Sequence, residues 1–441
     1  MKTLSTILLS MIPSMVMSQF TLSLIDLTKY PQAQCLDGSP GGFYFSPGSG
    51  SGANNWLIHT QGGKFIIIIK IFNEVKCFPL YHGDQITIYI VHTNNNSITF
   101  TLYSTLFPIG GWCVNDNDCL GRSKTALGSS TFWSSTGCPN SNSPVCYADG
   151  GAAGMLNSDA QANPNLYNWN KVFINYCDGM SYAGTVIDPV TVGSSTIYYR
   201  GSFILKAIYD MLLTNTSYNL AAADNVVIKG CSAGGLAVYL HSDAVQSWIN
   251  AVNPKTKVVA APGAGFFMDL PDFNGNYNYR GNYQWVFQRG NVTANVNNAC
   301  IADHSPDEQW KCYVAPYTLP YLKLPVFISN SLTDAWQTGN IMTLPCNPGS
   351  CSNITVEQEV VAYLHQFRTA MVEYLLPIQS NPNNGGFLQS CLVHVVEDVD
   401  HYWNQVTING QTQSETFAAW LLGGEGSGLQ IDGDWNSNPT C

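Results

Sequence analysis

Residues 230–234 read Gly-Cys-Ser-Ala-Gly. The β-type run N-V-V-I-K precedes them at 225–229, and a helical pattern follows at 235–241. A serine on a tight turn between a strand and a helix is the setting of a nucleophile. Small residues let the backbone bend sharply, the hydroxyl stands clear of the sheet, and the Ala233 N–H turns toward an oxyanion. The bland alternative is a Gly-rich turn with a surface serine. A serine nucleophile also needs a base, a carboxylate to orient that base, and donors for the oxyanion. Asp334 stands just past the β-type run V-F-I at 326–328, where such an acid belongs; an Asx turn is the alternative. In the chain order Ser…Asp…His the base comes last, and His394 and His401 both qualify. The residues alone divide evenly between them. His241, on the helix after the serine, reads as a structural histidine.

These residues need a scaffold, and the hydrophobic pattern supplies one. Apolar β-type runs at 172–176, 226–228, 258–261 and 326–328 alternate with helical patterns. Residues 200–213 carry a helical stripe at 203, 204, 207, 208, 211 and 212. A longer helical pattern at 360–376 stops at Pro377. Alternation of this kind predicts an α/β fold. No repeat, linker or composition shift divides residues 19–441, so one domain is expected.

The 441 residues are 45 % hydrophobic and only 11 % charged, with net charge −11. The acidic balance and the lack of a basic run exclude nucleic acid and anionic membranes as partners. Residues 1–18 have a Lys2 n-region, an apolar stretch and small residues near Ser18. That reads as a secretory signal peptide, with no membrane span left in the mature chain. Fourteen cysteines then imply a disulfide framework. Sequons at Asn95, Asn215, Asn291 and Asn353 fit the same compartment. Cys346 and Cys351 look like the ends of a small stapled loop. No Cys/His cluster has zinc-ligand spacing.

Residues 64–109 differ in composition from the rest. They are dense in Ile, Phe, Asn, Lys and Tyr, and they lie between Gly62-Gly63 and Gly110-Gly111. Codons for Gly63-Lys64 can contain the intron donor GTAA, and codons for Ile109-Gly110 the acceptor AG. The segment reads as a retained intron or as a β-hairpin insertion. Its length is abnormal for a loop. The open reading frame favours an insertion. Cysteine parity favours an intron: without Cys77, and with Cys231 held unpaired in the turn, twelve cysteines remain for six disulfides.

With that segment set aside, the chain resembles the pectin acetylesterase and Notum family of α/β-hydrolase-like carboxylesterases, from about residue 35 to residue 420. The matching blocks are C-L-D-G-S-P at 35–40, N-W-L-I-H at 55–59 joined to G-G-G-W-C, Y-C-D-G at 176–179 and Y-R-G at 199–201. They continue with G-C-S-A-G-G at 230–235, D-A-W-Q at 334–337 and S-C-L-V-H at 390–394. The resemblance implies a mostly parallel central sheet flanked by helices and a secreted carboxylesterase without metal or cofactor. Its triad would be Ser232, Asp334 and His394, the last chosen over His401. Backbone N–H groups of Gly111, Trp112 and Ala233 would form the oxyanion hole, Trp112 would wall the acyl pocket, and Phe266-Phe267 would lie near it. The substrate would be an acylated polysaccharide such as pectin, more in keeping with the Cys231 turn and the Y-C-D-G block, or an acylated protein as for Notum. A catalytically inactive binding protein on this scaffold is the remaining alternative. The departure from the family is the interruption at Gly63, which is expected to part the oxyanion strand from its loop.

Overall fold

The computed structural model describes residues 20–63, 110–133, 153–423 and 428–441, with the backbone of strands at 67–71, 74–78, 86–94 and 97–105. Nine strands form the central sheet: β1 Thr21–Leu24, β2 Gly42–Ser46, β3 Asn55–Thr60, β4 Asn170–Ile174, β5 Asn225–Cys231, β6 Lys257–Gly263, β7 Phe327–Ser331, β8 Gly385–Gln389 and β9 Leu429–Ile431. Their order is β1-β2-β4-β3-β5-β6-β7-β8-β9. From β4 to β9 every neighbouring pair is parallel; β2 runs antiparallel to both β1 and β4. The α/β architecture with a mostly parallel sheet is therefore the one expected.

Parallel strands covered on both faces read as continuous apolar runs. Side chains alternate between faces, which separates two cores. Trp56, Ile58, Val226 and Ile228 belong to the larger core, under the helices Gly201–Thr214, Ala233–Val252 and Ile354–Leu375. Leu57, Phe173, Val227 and Val259 face the smaller core with Phe417 and Trp420 of the helix Gln413–Leu422. That helix opens on a capping box between Thr412 and Glu415 and closes on Gly423 at φ 76°.

Some boundaries shift from the sequence reading, for local reasons. The helix expected at 360–376 begins at Ile354, because Asn353 caps it by accepting from the Thr355 N–H. The run at 172–176 loses its last two residues, since Asn175 and Tyr176 turn toward Gly42 and Gln61.

Five disulfides join described residues: Cys35–Cys177, Cys113–Cys119, Cys300–Cys312, Cys346–Cys351 and Cys391–Cys441. Cys231 is free and buried. The Cys77 side chain is outside what the structure describes, and Cys138, Cys146 and Asn95 lie outside the described residues. Asn215, Asn291 and Asn353 are exposed. No helix among the described residues is long and apolar enough to cross a membrane.

Within 64–109, Ile67–Ile71 pairs antiparallel with Glu74–Phe78, and Ile86–Asn94 with Ser97–Thr105. These are two sheets of their own, separate from the central one.

Candidate active site

Ser232 stands between the end of β5 and the helix Ala233–Val252, at φ 59° and ψ −124°. A left-handed φ on a serine stores of order 1–3 kcal/mol of backbone strain. The surroundings hold it there. The Ser232 N–H donates to Gly263 O at 3.0 Å, and Ser232 O accepts from Leu236 N at 2.9 Å. This is the elbow geometry that the G-x-S-x-G pattern anticipates.

Asp334 follows β7, as expected, and caps the short helix Ala335–Asn340. Its Oδ1 accepts from the Trp336 and Gln337 N–H groups at 3.0 and 2.9 Å. That leaves Oδ2 for His394 Nδ1, at 2.8 Å. His394 Nε2 lies 2.8 Å from Ser232 Oγ. Since a carboxylate only accepts, Nδ1 carries the proton and Nε2 accepts from the serine hydroxyl. The structure thus brings Ser232, His394 and Asp334 into one hydrogen-bonded line. Their exposures of 6, 3 and 0 % keep water from competing for these bonds while the serine remains reachable. His401 lies elsewhere, half-buried, with Nδ1 3.0 Å from Gln405 Oε1. His241 is buried against Ser181 O at 2.9 Å, and burial pushes its pKa down to about 4.

The loop bearing His394 is anchored on the opposite face of the sheet. Lys229, inside β5, donates to Asp398 with both side chains fully buried. His59, paired with Lys229 across β3 and β5, has its Nε2 3.9 Å from Asp398. Burial lowers the His59 pKa to about 3, so the ring is neutral. Beside them the Glu397 carboxylate has no hydrogen-bond partner among the described residues. Burial, with the Asp398 charge next, pushes its pKa well above the usual carboxylate range. Lys229, Asp398 and Glu397 carried no motif and were not anticipated from the sequence.

Gly111, Trp112 and Ala233 are brought together beside Ser232. A Cβ on Gly111 would lie 2.4 Å from Ala233 Cβ. One on Gly62 would lie 2.8 Å from Ser232 Cβ and 3.1 Å from Ala233 N, so only glycine allows these backbones to close on the elbow. The interruption at Gly63 does not part the strand from the loop. A Cβ on Gly63 would sit 2.9 Å from Gly111 N and Cα. The chain departs and returns at one point.

Trp112 donates its indole N–H to Ser181 Oγ at 2.7 Å, and Ser181 Oγ donates to Ala233 O at 2.7 Å. The indole packs edge to face on Phe267, Tyr283 and Trp336, with centroids 4.6, 5.9 and 5.8 Å apart. Phe267 and Trp336 also flank His394, at 6.0 and 6.1 Å. Of the pair Phe266-Phe267, only Phe267 stands here; Phe266 packs behind, on Tyr239.

Among the described residues, two groups of side chains have donor atoms close enough to hold a metal ion. One is Cys300, His304 and Cys312, whose cysteines are joined as a disulfide. The other is Cys231, Glu397 and Asp398, where the Lys229 ammonium already meets Asp398.

The family model for pectinacetylesterases matches residues 15–81 and 106–441. The chain belongs to the pectinacetylesterase family. Pectin acetylesterase 5 of Arabidopsis thaliana is 28 % identical over 431 residues, 95 % of this chain and 84 % of that protein. Pectin acetylesterase 11 of the same plant is 28 % identical over 424 residues, 93 % and 89 % of the two chains. The palmitoleoyl-protein carboxylesterase NOTUM of Schmidtea mediterranea is 26 % identical over 343 residues, 76 % of this chain and 59 % of that protein. As a pectinacetylesterase-family chain, this one carries residues 82–105 beyond the matched segments.

Proposed function

We propose that the chain is a secreted serine carboxylesterase that removes short acyl groups, acetyl above all, from polysaccharide such as pectin. The observation that carries this reading is the unbroken line from Asp334 through His394 to a strained, buried Ser232. His394 Nε2 takes the hydroxyl proton as Ser232 Oγ attacks the ester carbonyl, then delivers it to the departing sugar oxygen. Asp334 fixes the tautomer and balances the imidazolium. The developing oxyanion meets the N–H groups of Gly111, Trp112 and Ala233. Water, deprotonated by His394, then attacks the acyl-serine; the acyl–Oγ bond breaks, Ser232 Oγ takes the proton from His394, and the acid leaves.

Two observations support a short acyl group. Trp112, Phe267 and Trp336 pack on one another, and Phe267 and Trp336 flank His394, which favours a compact acyl group there. The similarity to pectin acetylesterases 5 and 11 is also longer than that to the Schmidtea mediterranea NOTUM. Disulfides and exposed sequon asparagines support a secretory route.

Hydrolysis of p-nitrophenyl acetate by wild type and Ser232→Ala tests the mechanism, and acetylated pectin tests the substrate. Equal rates for the two proteins would reject the nucleophile and favour a binding role on this scaffold. A strong preference for octanoyl over acetyl esters would reject the acetyl assignment in favour of a protein-deacylase reading.

A further inference from the structure

The proposed oxyanion donors are backbone groups, so something must aim them. A peptide unit is planar and trans, and a fixed C=O aims the N–H of the next residue in the opposite direction. For Ala233 the aiming is local, since Ser232 O is held by the Leu236 N–H of the same helix. Gly111 has no helix behind it. Its peptide oxygen, Gly110 O, is held instead by the Arg122 guanidinium, whose Nη2 donates to it at 2.7 Å. The same nitrogen donates to Trp112 O at 3.2 Å. The Trp112–Cys113 peptide is fixed at its other end by Cys113 N donating to Gly179 O at 3.0 Å. One cation therefore grips the peptides on both sides of Gly111-Trp112.

Arg122 is 1 % exposed, and its Nε and Nη1 have no hydrogen-bond partner among the described residues. A permanent charge in such a place is costly. It ends the helix Asp116–Arg122, which the Cys113–Cys119 disulfide ties back to the loop it grips. Besides aiming the peptide, a cation on a carbonyl oxygen draws electron density from the nitrogen. That makes the Gly111 N–H a stronger donor, and low dielectric amplifies the effect.

We propose that Arg122 is a positioning residue of the oxyanion hole, which aims and polarises the Gly111 N–H without touching substrate. The proposal rests on the serine esterase reading above.

The test uses the full chain with Arg122→Lys, and with Arg122→Met/Asp178→Asn, which also removes the charge of a buried acid that interacts with Arg122. Three quantities are read: kcat and KM on p-nitrophenyl acetate, inhibition by phenylboronic acid, and the pH midpoint of kcat. The boronate adds to a serine hydroxyl as a tetrahedral anion with an oxygen in the hole. Loss of one aimed donor is expected to lower kcat about 10²-fold in the double variant. KM should stay nearly constant, boronate affinity should weaken in proportion, and the pH midpoint should not move. Arg122→Lys, still cationic, should recover part of the loss. A folded variant with wild-type kcat and boronate affinity overturns the proposal. So does a fall in kcat with boronate affinity unchanged. Should Arg122→Lys fail to fold, the double variant decides alone. Ser232→Ala, run in parallel, separates the two levels: if it still hydrolyses the ester, the underlying reading fails, whatever Arg122 does.

Discussion

The two sides of the site are built differently. On one side stand Ser232, His394 and Asp334, three side chains whose polar atoms are matched at 2.8 to 3.0 Å. On the other stand Gly62, Gly111 and Trp112, which contribute backbone and come from segments lying before and after residues 64–109. The first side tolerates long sequence separations, because each residue is delivered by the end of its own strand. The second depends on close approach of bare backbone, and a single methyl group would obstruct it. Side-chain chemistry is thus fixed by residue type, and backbone chemistry by what is missing from the residue.

The largest expected effect breaks the side-chain half. Asp334→Asn keeps an oxygen for the Trp336 and Gln337 N–H groups but removes the carboxylate from His394. Steady-state kinetics should show kcat lowered about 10⁴-fold with a small change in KM. A loss under tenfold would mean that Asp334 does not orient the base. Next comes the anchor of the same half. Lys229→Met removes the buried cation from the buried Asp398 carboxylate, and breaking a buried pair in this way costs about 3–5 kcal/mol. Denaturant unfolding should register that loss; an unchanged midpoint would show that the ion pair does not hold the His394 loop.

The backbone half is broken by Gly111→Ala. The added Cβ meets Ala233 Cβ at 2.4 Å and must push the loop from the elbow. A displacement of that order lowers kcat about 10²-fold. Ester turnover at wild-type rate would place the donors elsewhere.

Asp178, the buried acid behind this half, predicts a pH effect. Burial raises its pKa to about 7 from 3.8, the value taken for the unfolded chain. Between those values the folded state holds a proton that the unfolded state has lost, so stability falls as pH rises, and the fall ends above the folded value. His59 and His241, with pKa values lowered by burial to about 3 and about 4, act in the opposite direction up to pH 6.5. From pH 6.5 to 7 the carboxyl contributions dominate, while Lys171, whose pKa burial lowers to about 8, acts in the opposite direction above that. Melting temperature should therefore decline from pH 6.5 to 7, and more gently in Asp178→Asn. A rising curve in wild type would contradict the assignment.

The smallest expected effect sharpens the comparison. Deleting residues 64–109 joins Gly63 to Gly110, which already touch, and keeps the Gly110 carbonyl that Arg122 holds. Esterase activity should survive, within about threefold, because a loop whose ends meet adds little to closure entropy. Transcript sequencing then separates the two origins of the segment. Mature messages that all retain it, together with an active full-length protein, would establish an insertion and exclude a retained intron.

Much of the scaffold was legible. β5 and β6 were read within three residues at each end, since a strand buried on both faces leaves a continuous apolar signature. The expected start of the helix Ile354–Leu375 fell six residues late, because its first turn is polar and is secured by the Asn353 cap. His394 and His401 were equal by residue type and chain order. Packing separates them, since only His394 reaches both Ser232 and Asp334.

By itself, the sequence determined the strand-turn-helix at Ser232, the α/β alternation and the candidates for acid and base, because periodicity and turn chemistry are local. Only the tertiary structure decided that Gly63 and Gly111 meet across residues 64–109, that Lys229 anchors the His394 loop, and that Arg122 stands behind the Gly110–Gly111 peptide. Those are contacts between distant segments through backbone atoms or isolated charges. Such atoms are the same in every residue and leave no pattern along the chain, so nothing short of the folded arrangement specifies where they come together.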